Sequence, residues 1–145
     1  MLRIIQTLSD PLLYLTADDP VRPEIPVDFR VSDSSEIFVW INDDGKPGAV
    51  VCVAYRCSIP CDVFELAQRP DNLPTAAIFY TIWSYTAGSG RKLIVAAQNW
   101  IKDNKPEIVD FVTLSPPTEM ARLFHLKNGA SVLRINQDTV NYQYS

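Results

Sequence analysis

Segments in which apolar side chains alternate or crowd together recur along the chain, separated by turn-forming residues. Leu2–Leu8 alternates well enough for a first strand, and Ser9-Asp10-Pro11 opens a short helix reaching about Thr16. Asp18–Arg30 is a proline-rich connection. Glu36–Ile41 and Ala49–Tyr55 are dense in β-branched and aromatic residues and flank Asn42-Asp43-Asp44-Gly45, which predicts a hairpin. Ser58–Pro74 reads as connection with one helical turn near Asp62–Gln68. Ala76–Tyr85 is apolar and aromatic nearly throughout, as a central strand covered on both faces requires.

Behind Gly88-Ser89-Gly90, the segment Arg91–Asn104 places Leu93, Ile94, Ala97, Trp100 and Ile101 on one stripe of an amphipathic helix. Glu107–Leu114 is the next strand. Thr118–Lys127 is a second helix, stopped by Asn128-Gly129, where glycine takes the left-handed position. Val132–Asn136 and Val140–Tyr144 form terminal strands around Gln137-Asp138. No internal repeat interrupts this order.

Composition narrows the class. The 145 residues are 47% hydrophobic and 21% charged, far from the signature of disorder and enough for one domain with a real core. A net charge of −4 argues against general nucleic-acid affinity, which needs a clustered basic face. No apolar run approaches a membrane span, and Met1–Asp10 lacks the basic region and long apolar core of a signal peptide. The expectation is a single cytoplasmic domain with no nucleic-acid or membrane partner; homo-oligomerisation is compatible with the sequence.

The scarce chemical groups are three cysteines and one histidine. Cys52, Cys57 and Cys61 do not have a zinc-site spacing, so they are expected as reduced thiols without a metal. The strand–Gly88-Ser89-Gly90–helix element presents backbone N–H groups and a helix dipole suited to a pyrophosphate, with Arg91 and Lys92 beside them. It lacks the lysine of a P-loop and the third glycine of a dinucleotide fingerprint, and by itself it is equally a tight turn. Ser115 ends a central strand, where open α/β sheets place ligands. His125, late in the second helix, is either a satisfied core residue or a catalytic group.

The order of these elements, the Gly-x-Gly loop after the fourth strand and the helix ending in Asn-Gly resemble the Gcn5-related N-acetyltransferases (GNAT). That family's loop consensus begins with Gln or Arg, whereas here Tyr85 begins Tyr85-Thr86-Ala87-Gly88-Ser89-Gly90. His125 stands where the family usually carries a general-acid tyrosine. Ala77–Ile82, Thr113-Leu114-Ser115-Pro116, Phe124-His125-Leu126-Lys127-Asn128-Gly129-Ala130, Arg134-Ile135-Asn136 and Val140-Asn141-Tyr142-Gln143-Tyr144 resemble, in order, the catalytic domain of malonyl-CoA decarboxylases. Those enzymes also carry a helical domain and an insertion ahead of the Phe-His helix, where only Pro117–Leu123 stands here.

The resemblance implies an α/β (α+β) fold of GNAT type, a mixed, mostly antiparallel sheet with splayed central strands flanked by helices. It implies His125 and Ser115 as catalytic residues and an acyl-CoA substrate, with no cofactor beyond coenzyme A itself. The pyrophosphate would lie at Gly88, Ser89, Gly90, Arg91 and Lys92, the pantetheine arm along the backbone of Thr81, Ile82 and Trp83, and Tyr142 would line the acyl pocket or belong to the core. Ala76–Tyr85 carries no Asp or Glu, where acetyltransferases of this fold often place a carboxylate, and this favours malonyl-CoA decarboxylation. The alternatives are an N-acetyltransferase in which His125 acts as the acid, and a non-catalytic structural or binding module.

Overall fold

A computed structural model describes residues 1–70 and 72–145; Asp71, within the expected Ser58–Pro74 connection, lies outside them. The strands are β1 (Leu2–Ile5), β2 (Ser35–Ile41), β3 (Pro47–Arg56), β4 (Ala76–Ser84), β5 (Asp110–Thr113), β6 (Ser131–Ile135) and β7 (Val140–Tyr144). The α-helices are α1 (Val27–Arg30), α2 (Val63–Leu66), α3 (Ser89–Asn104) and α4 (Glu119–Lys127), and a 3-10 helix covers Leu13–Asp18. The strands form one sheet in the order β1-β2-β3-β4-β5-β7-β6. The β4–β5 pair is parallel and the other pairs are antiparallel. This is the mixed, mostly antiparallel sheet expected.

The hairpin β2–β3 turns at Gly45, whose φ of +81° lies in the left-handed region that glycine enters without steric cost. Leu93, Ile94, Ala97 and Ile101 of α3 pack on Val51, Val53, Ala77 and Phe79. The opposite face buries Val50, Cys52, Ile78 and Tyr80 against Leu15, Ile25 and Val31. Strand β4 feeds both cores, which is why its sequence has no polar alternation.

Several boundaries differ from expectation for local reasons. Strand β1 ends at Ile5 rather than Leu8, and the Gln6 side chain turns to Glu36 instead (2.9 Å). Helix α3 begins at Ser89, with Gly88 as its N-cap at φ +81°. Strand β5 is shorter than Glu107–Leu114 because the Val109 and Asp110 N–H groups both turn to Thr75 O (2.8 and 3.2 Å).

The departure that matters for function lies in the segment read as connection, 18–30, which contains α1 and a buried polar network. Strand β4 is bulged at Tyr80: Cys52 pairs with Thr81 and Val53 with Phe79. Parallel pairing with β5 stops at Phe79–Thr113, and the two strands then part. Arg22, 8% exposed, enters the fork; its Nε donates to Tyr80 O (3.0 Å) and its Nη2 to Leu114 O (2.7 Å). Asp19 holds this segment in place. Its Oδ1 accepts from the Val21 and Arg22 N–H groups (2.9 and 3.0 Å) and from Thr81 Oγ1 (2.9 Å), and its Oδ2 pairs with Arg30 Nη1 at 2.8 Å. Burial alone would raise the Asp19 carboxyl, but the bonds from Arg22 N–H, Arg30 and Val21 N–H outweigh it and hold the group below the usual carboxylate range.

Removing Asp19 leaves the buried Arg30 guanidinium without its carboxylate, a loss that costs about 3–5 kcal/mol for a buried pair. Asp19→Ala is therefore expected to lower the unfolding free energy by that amount in a urea titration. An effect under about 1 kcal/mol would mean that the network is not coupled to folding.

Candidate functional site in the β4–β5 fork

Where β4 and β5 part, they leave a cavity of about 400 Å³ between Phe79–Ser84 on one side and Leu114–Pro116 with α4 on the other, and Pro20 and Val21 close one wall. Among the described residues, no Asp, Glu, Lys or Arg lines it. Ser115 and His125, expected as the catalytic pair, both face this cavity.

His125 is placed by α4. Thr118 caps the helix by accepting the Ala121 N–H (3.2 Å), and Gly129, at φ +101°, ends it with Ala130 N–H donating to His125 O (3.0 Å). The ring is 4% exposed, stacks on Tyr142 (5.2 Å between centroids, 28°) and meets the edge of Phe124 (5.1 Å, 82°). Nδ1 lies 2.7 Å from Tyr144 Oη. Nε2 makes no hydrogen bond to another of the described residues. Among the described residues, Tyr80 Oη is the one wholly buried side-chain polar atom lacking a partner, so Nε2 opens onto the cavity. Burial lowers the imidazole pKa to about 4, so the ring is neutral at physiological pH.

The Ser115 hydroxyl donates to Thr113 Oγ1 (2.8 Å), which also accepts the Tyr142 N–H (3.0 Å). Ser115 is further pinned by a backbone bridge to Val140, at 2.9 Å in both directions. No hydrogen bond joins Ser115 to His125; the cavity, and not a dyad contact, brings them together.

Thr81, Ile82 and Trp83 line the cavity on the edge of β4 that β5 has left. The Thr81 hydroxyl is committed to Asp19, and Trp83 Nε1 donates to Tyr85 Oη (3.1 Å). Their backbone edge and apolar surface are what they offer. The start of α3 abuts the far end: a Cβ on Gly90 would stand 2.8 Å from Ser84 Oγ and 3.1 Å from Phe124 Cε1, both on lining residues. The Gly90 and Arg91 N–H groups precede the first helical bond, Lys92 N–H to Gly88 O, and so project from the helix terminus. Arg91 and Lys92 are exposed beside them.

Of the two places expected for Tyr142, the structure takes the core. Tyr142 does not line the cavity; it is 2% exposed, in the core beneath the His125 ring, because β7 turns it toward α4. The Ser89 side chain is buried and bonded to Thr86 and to Asn42 Oδ1 (3.1 Å), so it secures the loop rather than offering a free hydroxyl. All three cysteines are free, and Cys61, Asp62 and Glu65 gather at the surface. A capping arrangement accounts for that cluster: Asp62 accepts the Glu65 N–H and Glu65 reaches back to the Cys61 N–H (2.8 and 2.7 Å).

Sequence reasoning missed Tyr144, Thr113, Asp19 and Arg22. Alternation along β7 puts Tyr144 on the same face as Tyr142, a signal that was available.

Neither a protein-family model nor a curated protein matches the sequence. Solved structures do. Malonyl-CoA decarboxylase from Rhodopseudomonas palustris superposes with a TM-score of 0.78 over 100% of this chain and 59% of its own, at 18% identity. Tetrahymena GCN5 superposes with a TM-score of 0.66 over 99% of this chain and 94% of its own, at 12% identity. The chain has the GNAT fold. The PaiA N-acetyltransferase of Thermoplasma acidophilum, solved in complex with coenzyme A, shares the fold more loosely (TM-score 0.55, 14% identity, 77% of this chain and 61% of its own). At these identities the likeness is one of fold. The chain spans 35%, 60% and 59% of three decarboxylase chains that it matches. No described helix is long and apolar enough to cross a membrane.

The buried imidazole carries a pH signature. An unfolded histidine binds its proton near pH 6.5 and the folded one only near 4, so the unfolded state binds more protons between these values. Stability is expected to fall as pH drops from about 6.5 to about 4, by up to roughly 3 kcal/mol from this residue. Comparing urea titrations of the protein and His125→Gln across that range checks it: the variant should lose the slope that His125 supplies.

Proposed function

We propose that the β4–β5 fork receives the thioester end of an acyl-CoA, and that the chain decarboxylates malonyl-CoA to acetyl-CoA and carbon dioxide. One observation carries this reading: a neutral imidazole and a serine hydroxyl face a cavity that no Asp or Glu among the described residues lines, and whose lining also includes the hydroxyl-bearing Thr81, Ser84 and Thr118. Acyl transfer to an amine needs a base to take the amine's proton, and an imidazole whose pKa is lowered to about 4 is a weak one. Decarboxylation needs no such base.

The step balances with the groups present. The C–C bond to the carboxylate breaks and its electron pair moves onto the thioester as an enolate; carbon dioxide leaves, and the α-carbon takes a proton supplied by solvent. His125 Nε2 and Ser115 Oγ are the polar groups for the oxygen on which charge develops, stabilising it as a preorganised oxyanion site does. For this the Ser115 O–H gives up its bond to Thr113 Oγ1 and donates to that oxygen. A cavity without a cation leaves the substrate carboxylate poorly solvated, which favours its loss as neutral carbon dioxide. The neutral ring favours charge stabilisation by His125 over proton donation from an imidazolium.

In this reading the pantetheine arm pairs with the β4 edge at Thr81, Ile82 and Trp83. The pyrophosphate lies at Gly88–Arg91 with Lys92 adjacent, where the helix dipole and projecting N–H groups favour an anion. No cofactor beyond coenzyme A is required. The second reading is an N-acetyltransferase, favoured by the 94% coverage of Tetrahymena GCN5. The third is a binding module without turnover.

Incubation with malonyl-CoA, with and without an amine, separates them. Acetyl-CoA is expected without acceptor, and acylated amine formed only with acceptor would point to the second reading. Binding without either product would point to the third. His125→Gln and Ser115→Ala are each expected to lower kcat by about 100-fold or more; unchanged turnover in both would overturn the site assignment.

A further inference from the structure

The mechanism leaves one contact of the histidine unused: Tyr144 Oη, 2.7 Å from Nδ1, on the side of the ring away from the cavity. We infer that Tyr144 is a positioning residue that locks His125 as the tautomer carrying its proton on Nε2, so that an N–H rather than a lone pair faces the cavity. Its catalytic consequence rests on the acyl-CoA reading above; the tautomer itself does not.

Two arrangements fit the contact. In one, the phenol O–H donates to Nδ1, and Nε2 carries the proton. In the other, Nδ1–H donates to Oη, and the phenol hydrogen must find another acceptor. Among the described residues it has none, since the bond to His125 is the single hydrogen bond recorded for that hydroxyl, and Tyr144 is 5% exposed. The shallow depression that Tyr144 shares with Gln98, Asn99 and Asn128 adds no bonded partner. The first arrangement satisfies the phenol hydrogen and Nδ1 with each other inside the protein, whereas the second leaves the phenol hydrogen without an acceptor among the described residues, and this favours the first. Ring identity at the cavity thus follows from the bond at the other nitrogen, as it does wherever a second partner sets a histidine tautomer.

The ring cannot turn to escape this choice. Tyr142 stacks on one face, and the Phe124 and Tyr144 rings meet it edge-on at 82° and 77°. Burial keeps both partners uncharged, raising the phenol and lowering the imidazole.

The chain has a single histidine, so nitrogen-15 imidazole spectra of the uniformly labelled full chain contain one ring and need no assignment. Near neutral pH, Nε2 is expected as the protonated nitrogen and Nδ1 as a hydrogen-bonded acceptor. Protonation at Nδ1 would overturn the inference without any assay of turnover. Tyr144→Phe keeps the ring packing and removes the O–H. It should abolish the hydrogen-bonded signature at Nδ1 and lower kcat for malonyl-CoA by about tenfold or more, with KM changed less than twofold. A folded variant with the wild-type Nδ1 signal, or with unchanged kcat, would overturn the role. Absence of turnover in the wild type would overturn the acyl-CoA reading instead, and the spectrum of the wild type would still decide the tautomer.

Discussion

The cleft depends on one buried cation. Two neighbouring strands that part inside a sheet orphan the backbone groups along their facing edges, and buried carbonyls without donors are costly. Arg22 meets that requirement at the apex, where its guanidinium spans Tyr80 O on β4 and Leu114 O on β5. A planar fork of N–H donors suits this task better than an ammonium. The cation is itself tied down through its backbone N–H to Asp19, which pairs with Arg30 and takes the Thr81 hydroxyl. The polar network therefore sits behind the cavity and props it open, while the cavity keeps apolar walls.

That division of labour sets the electrostatics. The Asp19–Arg30–Arg22 charges lie in the scaffold behind the fork, and Arg91 and Lys92 are exposed at the helix terminus at its far end. Between them lies a cavity that no charged side chain among the described residues lines. Such an arrangement suits a ligand that is anionic at one end and reactive at the other. The overall charge of −4 has no bearing on it, because the relevant fields are local.

Much of this was legible in the sequence where the signal is local. The β2–β3 hairpin follows from a turn between two β-rich runs, β4 from its unbroken apolar stretch, and α3 and α4 from their stripes and glycine boundaries. His125 and Ser115 were found through resemblance to a family, and the structure puts both on one cavity. The network around Arg22 was not legible, because Arg22 and Leu114 are 92 residues apart and a proline-rich segment with a few charges reads as connection. Tyr142 and Tyr144 show a finer limit. Alternation puts both on one face of β7, but which stacks on the imidazole and which reaches its nitrogen depends on the height of α4 above the strand, and no periodicity reports that. The partners of the Ser89 hydroxyl, Thr86 and Asn42, are likewise set by packing that the loop's sequence does not report.

The central claim is that the β4–β5 fork is a thioester site reached along the β4 edge. A crystal structure of the chain soaked with coenzyme A tests it most directly. The account predicts the thiol in the fork beside His125 and Ser115, the pantetheine arm against Thr81–Trp83, and the pyrophosphate at Gly88–Arg91. Phosphates bound anywhere else, or a thiol outside the fork, would contradict it.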